Sequence, residues 1–234
     1  MTAFSMSERS EIVRSRTSTI RTGEREADDT VDVVLFDLLM AVMDSLAVWS
    51  LAAHDTRRGL RWRDAVTARM QDLPRYFPYE DLVAEAAVEE GLPPTAAREL
   101  LEGWPDMEPW PDAAALARLT MPYGFVTNCS ADLARTAARR SGLAPRFVLS
   151  AEEAGAYKPN ASIYLEACGR LGTAPERTLF VAGSPYDAAG AQRAGLRAVL
   201  VNRRPDVPLP AAAIPTATSL HEVVAWIEGA RCPR

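Results

Sequence analysis

Four strand-end or loop segments of the 234-residue chain carry polar groups. Asp37 follows VDVVLF, in which five of the six residues are apolar and most are β-branched or aromatic. Thr127-Asn128 follows Tyr123–Val126, Lys158 sits in AYKPNASIY, and Asp187 ends FVAGSPYD. A carboxylate can displace a leaving group from saturated carbon, giving an ester that water then hydrolyses at its carbonyl. Such a nucleophile must be ionised, and a nearby cation such as Lys158 serves it. A second acid, Asp187, can orient the lysine and assist the hydrolytic water. Thr127 and Asn128 can donate hydrogen bonds to a substrate carboxylate or a departing halide. Each residue also has a plain structural role. Asp37 and Asp187 suit turns and helix caps, Thr127-Asn128 suit a turn, and Lys158 suits a solvated surface.

These groups meet only if their strands lie side by side. Val31–Asp37 reads as a strand buried on both faces, as in a parallel sheet. From residue 111 onward the pattern alternates. Helix is expected over Asp112–Leu119, Ala131–Arg140, Ser162–Leu171, Ala188–Ala194 and Leu220–Glu228, the last with Ser219 as its N-cap. Strands are expected at Tyr123–Val126, Phe147–Leu149, Thr178–Val181 and Leu196–Val201. That alternation predicts a doubly wound parallel sheet, whose ligands bind beyond the carboxyl ends of the strands. Between the first and second strands the sequence is helical: Ser45–Met70 with a break at Gly59, Tyr79–Glu90, and Pro94–Glu102. This stretch is too long for a simple crossover and predicts a helical cap over the strand ends. The expected organisation is a flexible tail at 1–29, an α/β core at 30–44 and 111–234, and a cap at 45–110.

With 48% apolar and 24% charged residues, the chain suits one globular core with a smaller insert. Its net charge of −5 and the lack of a basic patch argue against nucleic acid or an anionic membrane as the main partner. Three widely spaced cysteines and two histidines argue against a zinc site and fit a reducing cytoplasm. No apolar run approaches the roughly 20 residues of a membrane helix. The first residues lack the apolar centre of a signal peptide.

The ordered words LFD at 35–37, T-N at 127–128, YKP at 157–159 and VAGSPYDAAGAQRAG at 181–195 resemble the haloacid dehalogenase superfamily. Within it the chain looks most like the L-2-haloacid dehalogenase branch. YKPNxxxY, Y-D-A-x-G-A and V-N-R at 201–203 carry that likeness, as does Trp62-Arg63 in the helical insert. The resemblance implies a Rossmann-like core, Asp37 as nucleophile, and Lys158 and Asp187 as its catalytic partners. It implies that Arg63 holds a substrate carboxylate from the cap, in keeping with the planar fork that a guanidinium offers an anion. Thr127, Asn128, Ser184 and Leu38 complete the substrate-binding set. A homodimer and a cofactor-free reaction on a small 2-substituted carboxylic acid follow as further expectations. The leaving group is a halide or a ring nitrogen, since azetidine-2-carboxylate hydrolases resemble the same branch.

The chain also departs from the family pattern. After the nucleophile the superfamily usually shows Asp-x-x-Gly-Thr or Asp-x-Asp, where this chain has Asp37-Leu38-Leu39-Met40-Ala41. Leu39 replaces both the phosphatases' second acid and the dehalogenases' tyrosine. Ala182 and Ser184 stand where dehalogenases show Ser and Asn, and Gly183 stands where many phosphatases hold metal with an Asp. Two alternatives therefore accompany the main reading. One is a magnesium-dependent phosphatase using Asp37, a backbone carbonyl and Asp187. The other is a binding protein that keeps the fold without turnover.

Overall fold

The computed structural model describes residues 30–207 and 214–229; the expected tail at 1–29 lies outside them. The apolar run before Asp37 forms β1 (Val33–Asp37), with every residue buried. A single π-helical turn, Leu38–Val42, follows it directly. Four helices come next: α1 (Ser45–Ala52), α2 (Thr56–Asp72), α3 (Tyr79–Glu89) and α4 (Ala96–Glu102). The rest alternates. It runs through β2 (Tyr123–Thr127), α5 (Ala131–Arg140), β3 (Val148–Ser150), α6 (Ala151–Ala154), α7 (Ala161–Leu171) and β4 (Thr178–Ala182). It ends with α8 (Pro185–Arg193), β5 (Arg197–Val201), β6 (Thr216–Ala217) and α9 (Leu220–Glu228).

All six strands are parallel, in the order β3-β2-β1-β4-β5-β6. The chain winds outward from β1 to β3, then returns to β1's other side as β4. The strand order thus reverses beside β1, which puts the ligand crevice of a doubly wound sheet at Asp37. Asp37 lies in register with Val126 of β2, and the preceding Phe36 with Val181 of β4. Both sheet faces are covered, so every residue of β1, β2 and β4 is buried, and their apolar residues run on rather than alternate.

The helices between β1 and β2 pack in a ring, α1 on α2, α2 on α3, α3 on α4 and α4 back on α1. Trp49 and Trp62 meet edge to face at its centre, their ring centroids 4.7 Å apart. The buried Trp62 indole donates to Val83 O (2.9 Å). Several bonds fasten this layer to the core: Tyr157 Oη to Phe77 O (2.6 Å), Tyr76 N to Gly155 O (2.8 Å), and Ser130 Oγ to Glu80 Oε1 (2.5 Å).

The break expected at Gly59 falls instead at residues 53–55. Asp55 caps α2 there, accepting from Arg58 N at 2.7 Å, and His54 takes a positive φ of 51°. Gly59 is helical, and it is where α1 and α2 touch backbone to backbone. A Cβ at 59 would come within 2.5 Å of Trp49 O. Gly59→Ala should therefore destabilise by about 1–3 kcal/mol despite alanine's better helix propensity, read as a lower urea midpoint at unchanged m.

Other boundaries differ for local reasons. The helix expected over 112–119 is a 3₁₀ turn at Ala113–Arg118, tied down by Asp112. That carboxylate accepts from Arg203 Nη2 (2.7 Å) and Leu220 N (2.9 Å). The helix expected from Ala188 starts at Pro185, which is suited to a first turn because its missing N–H has no partner to lose. Asp187 thus sits in that first turn. Among the described residues, no helix is long and apolar enough to cross a membrane.

Candidate active site

Asp37 is the last residue of β1, and both its oxygens accept hydrogen bonds. Oδ2 takes Met40 N (3.2 Å), which caps the π turn, and Oδ1 takes Lys158 Nζ (2.7 Å). The turn is held from three further sides. Met43 N donates to Leu38 O (2.8 Å), the Trp110 indole to Met40 O (2.9 Å), and Arg203 Nη2 to Ala41 O (2.9 Å). These anchors fix a segment that lacks the family's Gly-Thr.

Lys158 is the only lysine in the chain, which has 26 lysines and arginines together. Its side chain is buried, and its three ammonium protons are all used: on Asp37 Oδ1, on Asp187 Oδ2 (2.6 Å) and on Val126 O (3.2 Å). Burial alone would push its pKa down. The Asp187 and Asp37 carboxylates outweigh burial and hold the pKa above the ordinary lysine value. The segment carrying Lys158 is clamped by Asn128, whose Oδ1 accepts from Lys158 N (2.7 Å) and whose Nδ2 donates to Lys158 O (3.0 Å).

Asp187 lies behind Lys158, fully buried. Its Oδ1 accepts from Tyr164 Oη (2.6 Å), and the same hydroxyl reaches Asp187 O (3.1 Å). Full burial raises the Asp187 carboxyl above the ordinary aspartate range; Lys158 pulls it back, and Asp37 adds to the rise. Burial and the Asp187 charge push the Tyr164 phenol far above its usual value, so it stays a donor. Buried ions survive only when paired and hydrogen-bonded, and this trio meets that condition.

In front of Asp37 is a pocket of about 40 Å³. Asp37, Arg63, Asn128 and Ser184 line it, with Leu39, Met40, Ser45, Trp49, Val66, Thr67, Met70, Tyr79 and Tyr186. Arg63 comes from α2 of the cap; its side chain is largely buried, with Nη1 on Asp64 Oδ1 (3.0 Å). Arg61, two residues away, lies exposed beside Glu90. Burial pushes the Tyr186 phenol up to about 12, with Asp187 adding to it, so its hydroxyl is neutral.

The structure thus gathers Asp37, Arg63, Asn128 and Ser184 on one pocket, with Lys158 and Asp187 directly behind Asp37. Thr127 and Leu38 are fully buried and are not on the pocket wall. Thr127 Oγ1 lies 3.7 Å from Cys129 Sγ. Sequence reasoning missed Tyr164 as Asp187's partner and Tyr186 as a wall. A tyrosine six residues past the only lysine, across one helical start, was the signal available for the first.

A magnesium ion of the phosphatase type fits this donor set poorly. Its carboxylates would be Asp37 and Asp187, and both already hold the same ammonium. Position 183 has no room for a third acid: a Cβ there would lie 2.4 Å from Met40 Cβ and 2.5 Å from Ala41 N. No group of three or more metal-binding side chains gathers among the described residues.

The sequence matches the profile of the haloacid dehalogenase-like hydrolases over residues 19–195. A phosphoserine phosphatase of Thermus thermophilus is 35% identical over 177 residues, which cover 68% of this chain and 70% of that protein. An (S)-2-haloacid dehalogenase of Burkholderia cepacia is 30% identical over 116 residues, 47% of this chain. The alignment spans about half of that dehalogenase's length. The L-2-haloacid dehalogenase structure from Xanthobacter autotrophicus superposes with a TM-score of 0.74 at 20% identity, covering 86% of this chain and 99% of that one. Profile, sheet order and inserted helical layer agree: the chain belongs to the haloacid dehalogenase-like hydrolases.

Proposed function

We propose that the protein is a metal-independent hydrolase acting at C2 of a small 2-substituted carboxylic acid. The observation that supports this reading best is the pocket itself. An oriented carboxylate, Asp37, stands at one wall, and a largely buried guanidinium, Arg63, stands on the same pocket. Arg63 binds the substrate carboxylate. Asp37 attacks C2, forming a carbon–oxygen bond while the leaving group departs with its electron pair. Water then adds to the Asp37 ester carbonyl. The acyl–oxygen bond breaks, giving a 2-hydroxy acid, a proton and the free carboxylate. Lys158 orients Asp37, and Asp187 acts through Lys158 as a positioning residue. Asn128 acts through its clamp on the lysine's backbone as well as on the pocket wall.

The phosphatase relative favours a second reading, phosphate-ester hydrolysis. That reading requires a dication where Lys158 now bridges both acids. A panel of 2-haloacids, azetidine-2-carboxylate and phosphoserine, each with EDTA or added magnesium, separates the two. The expected result is release of halide or ring-opened product, unchanged by EDTA, with a trapped ester mass on Asp37. Magnesium-dependent release of phosphate, without any ester at Asp37 from the acids, would transfer the assignment to phosphoryl chemistry.

Arg63→Lys keeps the charge but loses the bidentate fork, so kcat/KM on the turned-over acid should fall about 10²-fold, in line with a lost charge-assisted pair. Arg61→Ala should change kcat/KM less than twofold. The reverse ranking would mean that Arg63 is not the anchor.

A further inference from the structure

The pocket in front of Asp37 is too small for a whole substrate. A volume of about 40 Å³ holds on the order of three to four water-sized groups, enough for C2 and the carboxylate attached to it. A second cavity of about 230 Å³ adjoins it, between α2 and the segments that follow β4 and β5. The two cavities share Met40, Arg63, Thr67, Ser184 and Tyr186 as walls. Apart from Arg63, which the substrate carboxylate occupies, the larger cavity offers no unpaired charge. Its Arg204 is balanced by Asp206 (2.9 Å) and by Asp64 (3.5 Å), and Asp64 also holds Arg63. What remains to recognise a ligand there is neutral. Asn202 Oδ1 accepts from Arg204 N (3.1 Å), and its amide nitrogen has no partner among the described residues. Gln71 Nε2 donates to Thr67 O (3.3 Å), and its amide oxygen likewise has no described partner. The chamber thus presents the Asn202 amide N–H and the Gln71 amide oxygen, together with the neutral hydroxyls of Thr67, Ser184 and Tyr186.

We infer that this chamber is a subsite for the substrate's side chain, and that the substrate is a 2-substituted acid ending in an uncharged hydrogen-bonding group such as a carboxamide. This rests on the reading given under Proposed function and adds the substrate class to it. A carboxamide offers both an N–H and a carbonyl, matching Gln71 and Asn202. A charged end would lose hydration without gaining a free counter-ion. A site built to hydrogen-bond its ligand also rejects apolar isosteres, because its own polar groups are then left unpaired.

The test compares three probes on the full chain: 2-bromopropanoate, 2-bromo-4-carbamoylbutanoate and 2-bromo-5-methylhexanoate. Rates are measured alongside mass spectrometry of Asp37. The carbamoyl acid should exceed both others in kcat/KM by at least tenfold. Asn202→Ala should bring the carbamoyl acid down to the level of its apolar isostere. Ala68→Trp fills the chamber from an exposed wall position, and should slow the carbamoyl acid tenfold or more while leaving 2-bromopropanoate within twofold. Equal rates for the three acids would overturn the subsite while leaving the reaction standing. So would an Ala68→Trp variant that slows short and long acids alike, since the chamber would then be only an access route. If no acid reacts and no ester forms at Asp37, the reaction assignment itself fails and the subsite falls with it.

Discussion

Asp37→Asn should lower turnover of the preferred 2-substituted acid by at least about 10⁴-fold, the scale on which removal of a covalent nucleophile registers. The amide keeps one acceptor oxygen, enough for Lys158 Nζ or for Met40 N but not for both, and it is a poor nucleophile that forms no ester. Lys158 retains Asp187 and Val126 O, so the fold should survive with a loss of about 1–3 kcal/mol from the weakened charge-assisted bond. The two readouts separate chemistry from folding. Activity and the ester mass on Asp37 should vanish, while circular dichroism and a cooperative melt persist. Activity near wild type in protein shown by mass to be free of deamidation would remove the covalent mechanism.

Lys158→Met should have the largest effect on stability. Methionine fills most of the lysine's volume but leaves Asp37 and Asp187 facing each other without their shared cation. Breaking one buried ion pair typically costs about 3–5 kcal/mol, and two carboxylates lose their partner here. For a domain of this size each kcal/mol shifts Tm by about 2–4 °C, so a drop of roughly 6–20 °C is expected. The pH dependence gives an independent check. Burial, no longer opposed by the lysine, would hold the Asp187 carboxyl's folded-state pKa in the variant still further above its unfolded value. The folded state then holds protons that the unfolded chain releases, so stability falls as pH rises. The variant's Tm should therefore climb as pH is lowered from about 7.5 toward 5, partly recovering the loss. A Tm within about 2 °C of wild type at neutral pH would mean that the lysine does not hold the acids together.

Much of this arrangement was legible in the sequence, and for identifiable reasons. The buried strands announced themselves because a sheet covered on both faces needs unbroken apolar runs, as in VVLFD and TLFVA. Asp37 stood out because it ends such a run, and Lys158 and Asp187 because they lie in the loops that follow later strands, which a parallel sheet with a strand-order reversal brings to one edge. What was not legible depends on contacts across the chain. The π turn at Leu38–Val42 has no local signature; it is set by Trp110 and Arg203, far away in sequence. Gly59 looked like a helix stop because glycine usually is one, whereas here it lets two helices touch. Asn128 suggested a substrate donor, and its amide turned out to span the backbone of Lys158, a partner thirty residues away. The short α6 escaped notice although Ser150 and Glu153 form a capping box, a signal that was present in the sequence.

The burial of Lys158 has a consequence beyond catalysis. Since it is the chain's one lysine and is held charged between two acids, the folded protein offers acylating reagents and aldehydes no lysine amine at all. Modification at residue 158 would then require the centre to open, because a protonated, enclosed ammonium is not a nucleophile. A single acyl group at that position, counted against time, would act as a clock for opening of the sheet edge where Asp37 sits, with no competing surface lysines to subtract.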